Sequence, residues 1–128
     1  QRSLPQVKLL GEVIKSLKYS ASGKIVWAII NQDMIHSVNG LDKDVDGFVE
    51  FIRSIQYVEI SFMILELSDG SHRISFRSSG KYSINDIAKK FNGGGHKFAA
   101  GARIESMPAN DIEKNIIRQL EEKIPGEF

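Results

Sequence analysis

Cysteine is absent from the 128 residues, which excludes a disulfide framework, a thiolate nucleophile and a Cys-type zinc site. Histidine is scarce: His36, His72 and His96 stand far apart. A two-metal hydrolytic centre needs several carboxylates and histidines converging on both ions, so this stretch is not expected to build one. No apolar run nears the roughly 18 residues of a membrane span, and no basic segment followed by an apolar one opens the chain. Charge of one sign is missing too. Lys and Arg number 17 against 16 Asp and Glu, so no broad basic field draws in nucleic acid, and an anionic ligand would have to be held by a few placed groups. The first residue is Gln1. The expectation is a piece of a longer, cytoplasmic polypeptide.

What is present reads as one α/β (α+β) domain, a mixed sheet of about five strands flanked by helices. Val7, Leu10, Ile14 and Leu17 recur at helical spacing and predict a helix over 6–19, with residues 1–6 as the tail of a linker. The run KIVWAII over 24–30 predicts a buried strand, and 32–38 a short helix stopped by Asn39-Gly40. Phe48, Val49, Ile52 and Ile55 predict a helix over 46–55, with Asp42, Asp44 and Asp46 favoured at its positive end. Alternation over 57–67 and 71–77, joined at Asp69-Gly70, predicts a β-hairpin with Arg73, Ser75 and Arg77 on one face. A helix over 83–91 capped by Ser83, a strand over 98–104 and a helix over 108–124 complete the series. The expected division is 1–23, linker end and N-terminal helix, and 24–128, the main domain.

Gly93-Gly94-Gly95 precedes His96. Three glycines in a row cost backbone entropy. A left-handed helix cap accounts for one of them. A loop whose bare N–H groups form an anion-binding concavity accounts for all three, with His96 as a further donor. Neither a Walker loop nor a dinucleotide fingerprint fits the spacing. Arg77, in Ser75-Phe76-Arg77-Ser78-Ser79-Gly80, offers a guanidinium fork suited to phosphate; the alternative is a solvent-facing arginine in a surface ion pair. Asp42-Lys43-Asp44-Val45-Asp46-Gly47 imitates the start of a calcium loop, but Arg53 stands where a bidentate Glu is needed. His36 and His72 read as a helix-surface and a strand-face residue. Tyr19, Trp27 and Tyr57 read as core or rim aromatics. Lys89, Lys90 and Lys97 read as solvated charges that add attraction for an anion.

The strings ISFRSS at 74–79, SINDIA at 83–88 and FNGGGHKFAAG at 91–101 together resemble the C-terminal DHH-associated domain of the DHH-family phosphoesterases. The similarity covers roughly residues 24–120. Members similar to this chain include bacterial oligoribonucleases that also hydrolyse 3′-phosphoadenosine 5′-phosphate (pAp), and cyclic di-nucleotide phosphodiesterases. What the resemblance implies is a substrate-binding domain with no cofactor of its own, closing over an N-terminal domain that binds two manganese ions. The intact polypeptide is then a hydrolase, and this stretch alone is not an enzyme. The implied ligands are short RNA or nucleotide phosphate, held by Arg77, Ser78, Gly93, Gly94, Gly95 and His96. The implied partner is the N-terminal DHH domain of the same chain, with a homodimer left open. Asn92 departs from the glycine usual in the family, at a position where Asn tolerates left-handed geometry. The alternative reading is a non-hydrolytic nucleic-acid-binding module like the C-terminal domain of alanyl-tRNA synthetase.

Overall fold

The computed structural model describes all residues from Gln1 to Phe128. Its helices are α1 (Leu4–Lys15), α2 (Gln32–Ser37), α3 (Phe48–Arg53), α4 (Asn85–Lys90) and α5 (Ala109–Lys123), and its strands are β1 (Lys18–Tyr19), β2 (Ile25–Ile30), β3 (Ile60–Glu66), β4 (His72–Ser78), β5 (Gly94–His96) and β6 (Ala99–Ile104). A 3₁₀ turn occupies Asp42–Val45. The six strands form one mixed sheet in the order β1-β2-β3-β4-β6-β5. Only β2 and β3 run parallel, and the segment joining them carries α2, the 3₁₀ turn and α3, as a crossover between parallel neighbours requires.

Both faces of the central strands are covered, which is why β2 reads as a continuous apolar run. On one face Trp27, Phe62, Ile64, Ile74 and Phe76 meet Ile87 and Ala88 of α4 and Ile112, Ile116 and Leu120 of α5. Trp27 stacks on Phe62 with centroids 5.4 Å apart, and its indole N–H donates to Glu113 Oε2 at 2.7 Å. On the other face Val26, Ala28, Ile30, Met63 and Leu65 lie under Leu9 and Val13 of α1, Ile35 of α2, and Phe48, Val49 and Ile52 of α3. Each fully buried side chain of this kind contributes roughly 1.5–3 kcal/mol. Ser61, on the second face, is buried and donates to the Val49 carbonyl at 2.8 Å, so its hydroxyl is not left unpaired. On this face α3 reaches across β3 to the near side of β4. Beyond that the β6-β5 part of the sheet lies open, and the border between covered and open sheet positions the site.

Several expectations from sequence are corrected. The first helix begins at Leu4, where Ser3 Oγ accepts from Gln6 N at 3.1 Å, so residues 4–6 are helical. It ends at Lys15 because Lys18 and Tyr19 pair with Trp27 and Val26. Its buried stripe is Leu9 and Val13, while Val7 and Ile14 are half-exposed. Leu9 and Val13 pack against β2 and β3. Gly47, at φ 88°, starts α3, and the aspartates before it serve other ends. Asp44 Oδ2 accepts from Leu41 N at 2.7 Å, and Asp42 accepts from Gln32 Nε2 at 2.8 Å and Ser68 N at 3.0 Å. Ser83 does not cap α4; Ile84 precedes that helix with no side-chain bond. Strand β3 is buried on both faces, not one.

Candidate functional site

Cross-strand register determines which side chains share the open face, because directly opposed residues of antiparallel strands point the same way. Three rows result. Arg77 of β4 opposes Ala99 of β6, which opposes His96 of β5. Two residues along, Ser75 opposes Gly101, which opposes Gly94. Two further along, Arg73 opposes Arg103. With strands about 4.8 Å apart, Arg77 and His96 stand roughly 10 Å apart at Cα with only the methyl of Ala99 between them. The middle row carries nothing larger than a serine hydroxymethyl. The floor is thus flat and small, and flanked by cationic and donor groups.

This face forms two adjoining hollows. One, of about 560 Å³, lies over Arg77, Ser75, Gly94, His96, Gly101 and Arg103. The other, of about 310 Å³, lies between β4 and the wall made by Asp46, Gly47, Val49 and Glu50. Arg73, Ser75 and Arg77 belong to both, so the hollows form one groove across the sheet. Each arginine on β4 faces an acid of the wall. Arg77 Nη2 lies 3.4 Å from Glu50 Oε1 and Arg73 Nη2 lies 3.7 Å from Asp46 Oδ1. Arg77 Nη1 donates to its neighbour's carbonyl, Phe76 O, at 2.7 Å, and this fixes the guanidinium at the groove edge.

The glycine run is not the free loop expected from sequence. Gly94–His96 is an edge strand paired with β6. A Cβ at Gly93 would lie 2.1 Å from the Gly101 carbonyl oxygen, and one at Gly95 would lie 2.7 Å from the Ala99 carbonyl oxygen. These two glycines let the hairpin close on its own backbone, a packing requirement. A Cβ at Gly94 would meet nothing within 4 Å, and Gly94 alone of the three lies on the groove floor. Asn92, at φ 62°, adopts the left-handed conformation anticipated for it and turns the chain out of α4.

Of the six residues singled out from sequence, the structure brings Arg77, Gly94 and His96 together on the groove. Ser78 points to the opposite face. It is buried, and its hydroxyl donates to Tyr82 O at 2.5 Å and accepts from Gly80 N at 3.2 Å, which commits it to the turn after β4. Gly93 and Gly95 act through the hairpin. Ala99, Gly101 and Arg103 join the groove without being site candidates from sequence, although the small-residue string Ala99-Ala100-Gly101-Ala102 on a strand marks a surface left bare. His36 is exposed on α2, and His72 is buried on the helix-covered side of β4, both away from the groove. No group of three or more His, Asp or Glu side chains converges anywhere. The chain's own residues therefore do not supply the ligand set of a manganese centre. No helix is long and apolar enough to cross a membrane.

Comparison with known proteins matches residues 31–124 to the DHHA1 domain. The bifunctional oligoribonuclease and PAP phosphatase NrnA of Thermus thermophilus is 28% identical over 117 residues, covering 91% of this chain and 34% of that protein. The probable enzyme of the same name from Streptococcus mutans is 30% identical over 104 residues, covering 81% of this chain and 33% of that protein. Among solved structures, an exopolyphosphatase-related protein from Bacteroides fragilis superposes with a TM-score of 0.87 at 27% identity, covering 98% of this chain and 36% of the other. The chain spans about a third of the length of the relatives it matches. With the matched region covering the groove and its three rows, the chain belongs to the DHHA1 domain family.

Proposed function

We propose that this domain is the substrate-holding part of a metal-dependent DHH-type phosphodiesterase acting in the cytoplasm on short oligoribonucleotides or pAp. The observation that carries the reading is the row Arg77–Ala99–His96, two donor side chains flanking a small residue on an open sheet. A phosphate above Ala99 would accept two parallel bonds from the Arg77 guanidinium and one from the imidazole of His96. The bare middle row at Ser75, Gly101 and Gly94 leaves room for a ribose or base to lie close to the sheet. The relatives' oligoribonuclease and PAP phosphatase activities support a nucleotide ligand. In this reading manganese, held by another domain of the same polypeptide, supplies an activated water and charge neutralisation. This domain's residues bind the phosphate, orient it and offset its charge as it reacts.

The test is steady-state hydrolysis of a short oligoribonucleotide and of pAp by the full polypeptide. His96→Ala is expected to lower kcat at least about tenfold, as loss of one donor to a reacting phosphate does, with an unchanged melting temperature. Arg77→Gln is expected to raise KM as well. Near-wild-type kinetics for both variants would exclude the row as the phosphate site.

A further inference from the structure

The third row has no role in the site just described. Arg73 and Arg103 oppose each other directly across β4 and β6, on the groove face and in the same hollow as Arg77 and His96. Like charges in opposed positions on neighbouring strands destabilise a sheet, so the arrangement calls for a compensating anion. Compensation within the fold is peripheral. Arg73 lies 3.7 Å from Asp46, with side-chain exposures of 44% and 71%. Arg103 pairs with Asp69 in the β3-β4 turn and, at 3.3 Å, with Glu105. Exposed pairs of this kind contribute only about 0–1 kcal/mol, so an incoming anion displaces or shares them easily. Between this row and Arg77–His96 lies only the small-residue floor, and nothing blocks a ligand running along the strands.

We infer that Arg73 and Arg103 form a second anion station, which grips a phosphate farther along the same single-stranded oligoribonucleotide whose reacting phosphate lies between Arg77 and His96. The inference rests on the phosphate reading of that first row. Arg73 and Arg77 are four residue steps apart along the strand, about 13 Å at Cα. The two phosphates of a nucleoside 3′,5′-bisphosphate hang from one ribose and lie closer together than that, so such a ligand uses the first station alone. An oligonucleotide of several linkages reaches both. The second station therefore discriminates by length: it adds affinity for an oligonucleotide and none for the bisphosphate.

The experiment is a binding titration with the full polypeptide, depleted of divalent metal to prevent cleavage, at several salt concentrations. Its probes are a 5′-phosphorylated tetraribonucleotide and pAp. Wild type is compared with Arg73→Gln/Arg103→Gln and with Arg77→Gln, each first shown to keep its melting temperature. The double variant is expected to bind the tetranucleotide about tenfold more weakly and pAp within about twofold of wild type. Its salt slope for the tetranucleotide should fall by about 0.7, the value for one single-strand phosphate that is no longer neutralised. Equal weakening for both probes would mean a diffuse charge effect and would overturn the inference. Unchanged tetranucleotide binding, with Arg77→Gln still defective, would overturn it while leaving the first row as the phosphate site. Failure of the wild type to bind either probe would remove both.

Discussion

Arg77 and Glu50 face each other across the groove, Nη2 to Oε1 at 3.4 Å. The carboxylate occupies one side of a guanidinium whose Nη1 already donates to Phe76 O. Glu50 thus stands where a phosphate oxygen would bind, and an incoming anion competes with it. Neutralising Glu50 removes the competitor and one repelling charge. Glu50→Gln is expected to tighten phosphate or oligonucleotide binding by up to roughly fivefold, the scale of an exposed pair. The gain should shrink as salt rises. Calorimetric titration reads it directly. Weaker binding would show instead that Glu50 holds Arg77 in its working orientation.

The three glycines separate by what surrounds them. Gly93→Ala drives a methyl into the Gly101 carbonyl and the Ala102 Cβ, 2.1 and 2.5 Å away. Backbone cannot retreat as a side-chain end can, so a loss of about 3 kcal/mol or more is expected. Gly94→Ala meets open space and should change stability by under about 1 kcal/mol. Its methyl would stand on the floor of the groove, so it should weaken ligand binding while the protein stays folded. Urea unfolding alongside a binding titration separates the two effects. A stable Gly93→Ala protein, or a Gly94→Ala protein with unaltered binding, would contradict this division.

Strand alternation makes the groove face of β4 legible: Arg73, Ser75 and Arg77 fall on one side by period two alone, and they are the residues that line the groove. The glycine run was legible as a place of close approach, but not what approaches. One-dimensional spacing cannot say whether a bare backbone faces a ligand or its own hairpin partner, and here Gly93 and Gly95 face the partner. Register was equally hidden. That Ala99 lies between Arg77 and His96, and that Arg103 opposes Arg73, depends on how β6 slides along its neighbours. The stripe of α1 was misread because Val7 and Ile14, apolar and correctly spaced, stand half-exposed; periodicity detects an apolar face without saying which part of it is covered. The aspartates at 42–46 resembled helix-end acids until Gly47 broke the chain between them and α3.

Acid stability should depend on a carboxylate far from the groove. Glu127, in the tail after α5, is buried and accepts from Ser22 Oγ at 2.6 Å and Ser20 Oγ at 2.8 Å. The Ser22 bond holds its pKa below the ordinary 4.5; burial opposes this, while Ser20 and Lys24 reinforce it. A carboxyl with a depressed folded pKa binds fewer protons folded than unfolded. It therefore adds stability that is fully present above the unfolded value and is lost as pH falls through the folded one. Asp42 and Asp69 act with the same sign. For Asp42, burial works against hydrogen bonds from Gln32 and Ser68; for Asp69, the bonds from Ser71 dominate. The wild-type curve alone therefore mixes three groups. Glu127→Gln keeps the shape and an accepting oxygen but does not titrate. Urea midpoints measured from about neutral pH down through the carboxylate range should show the variant less stable above 4.5. The gap should close steadily below that value. Parallel curves for the two proteins would mean that Glu127 does not couple folding to protons.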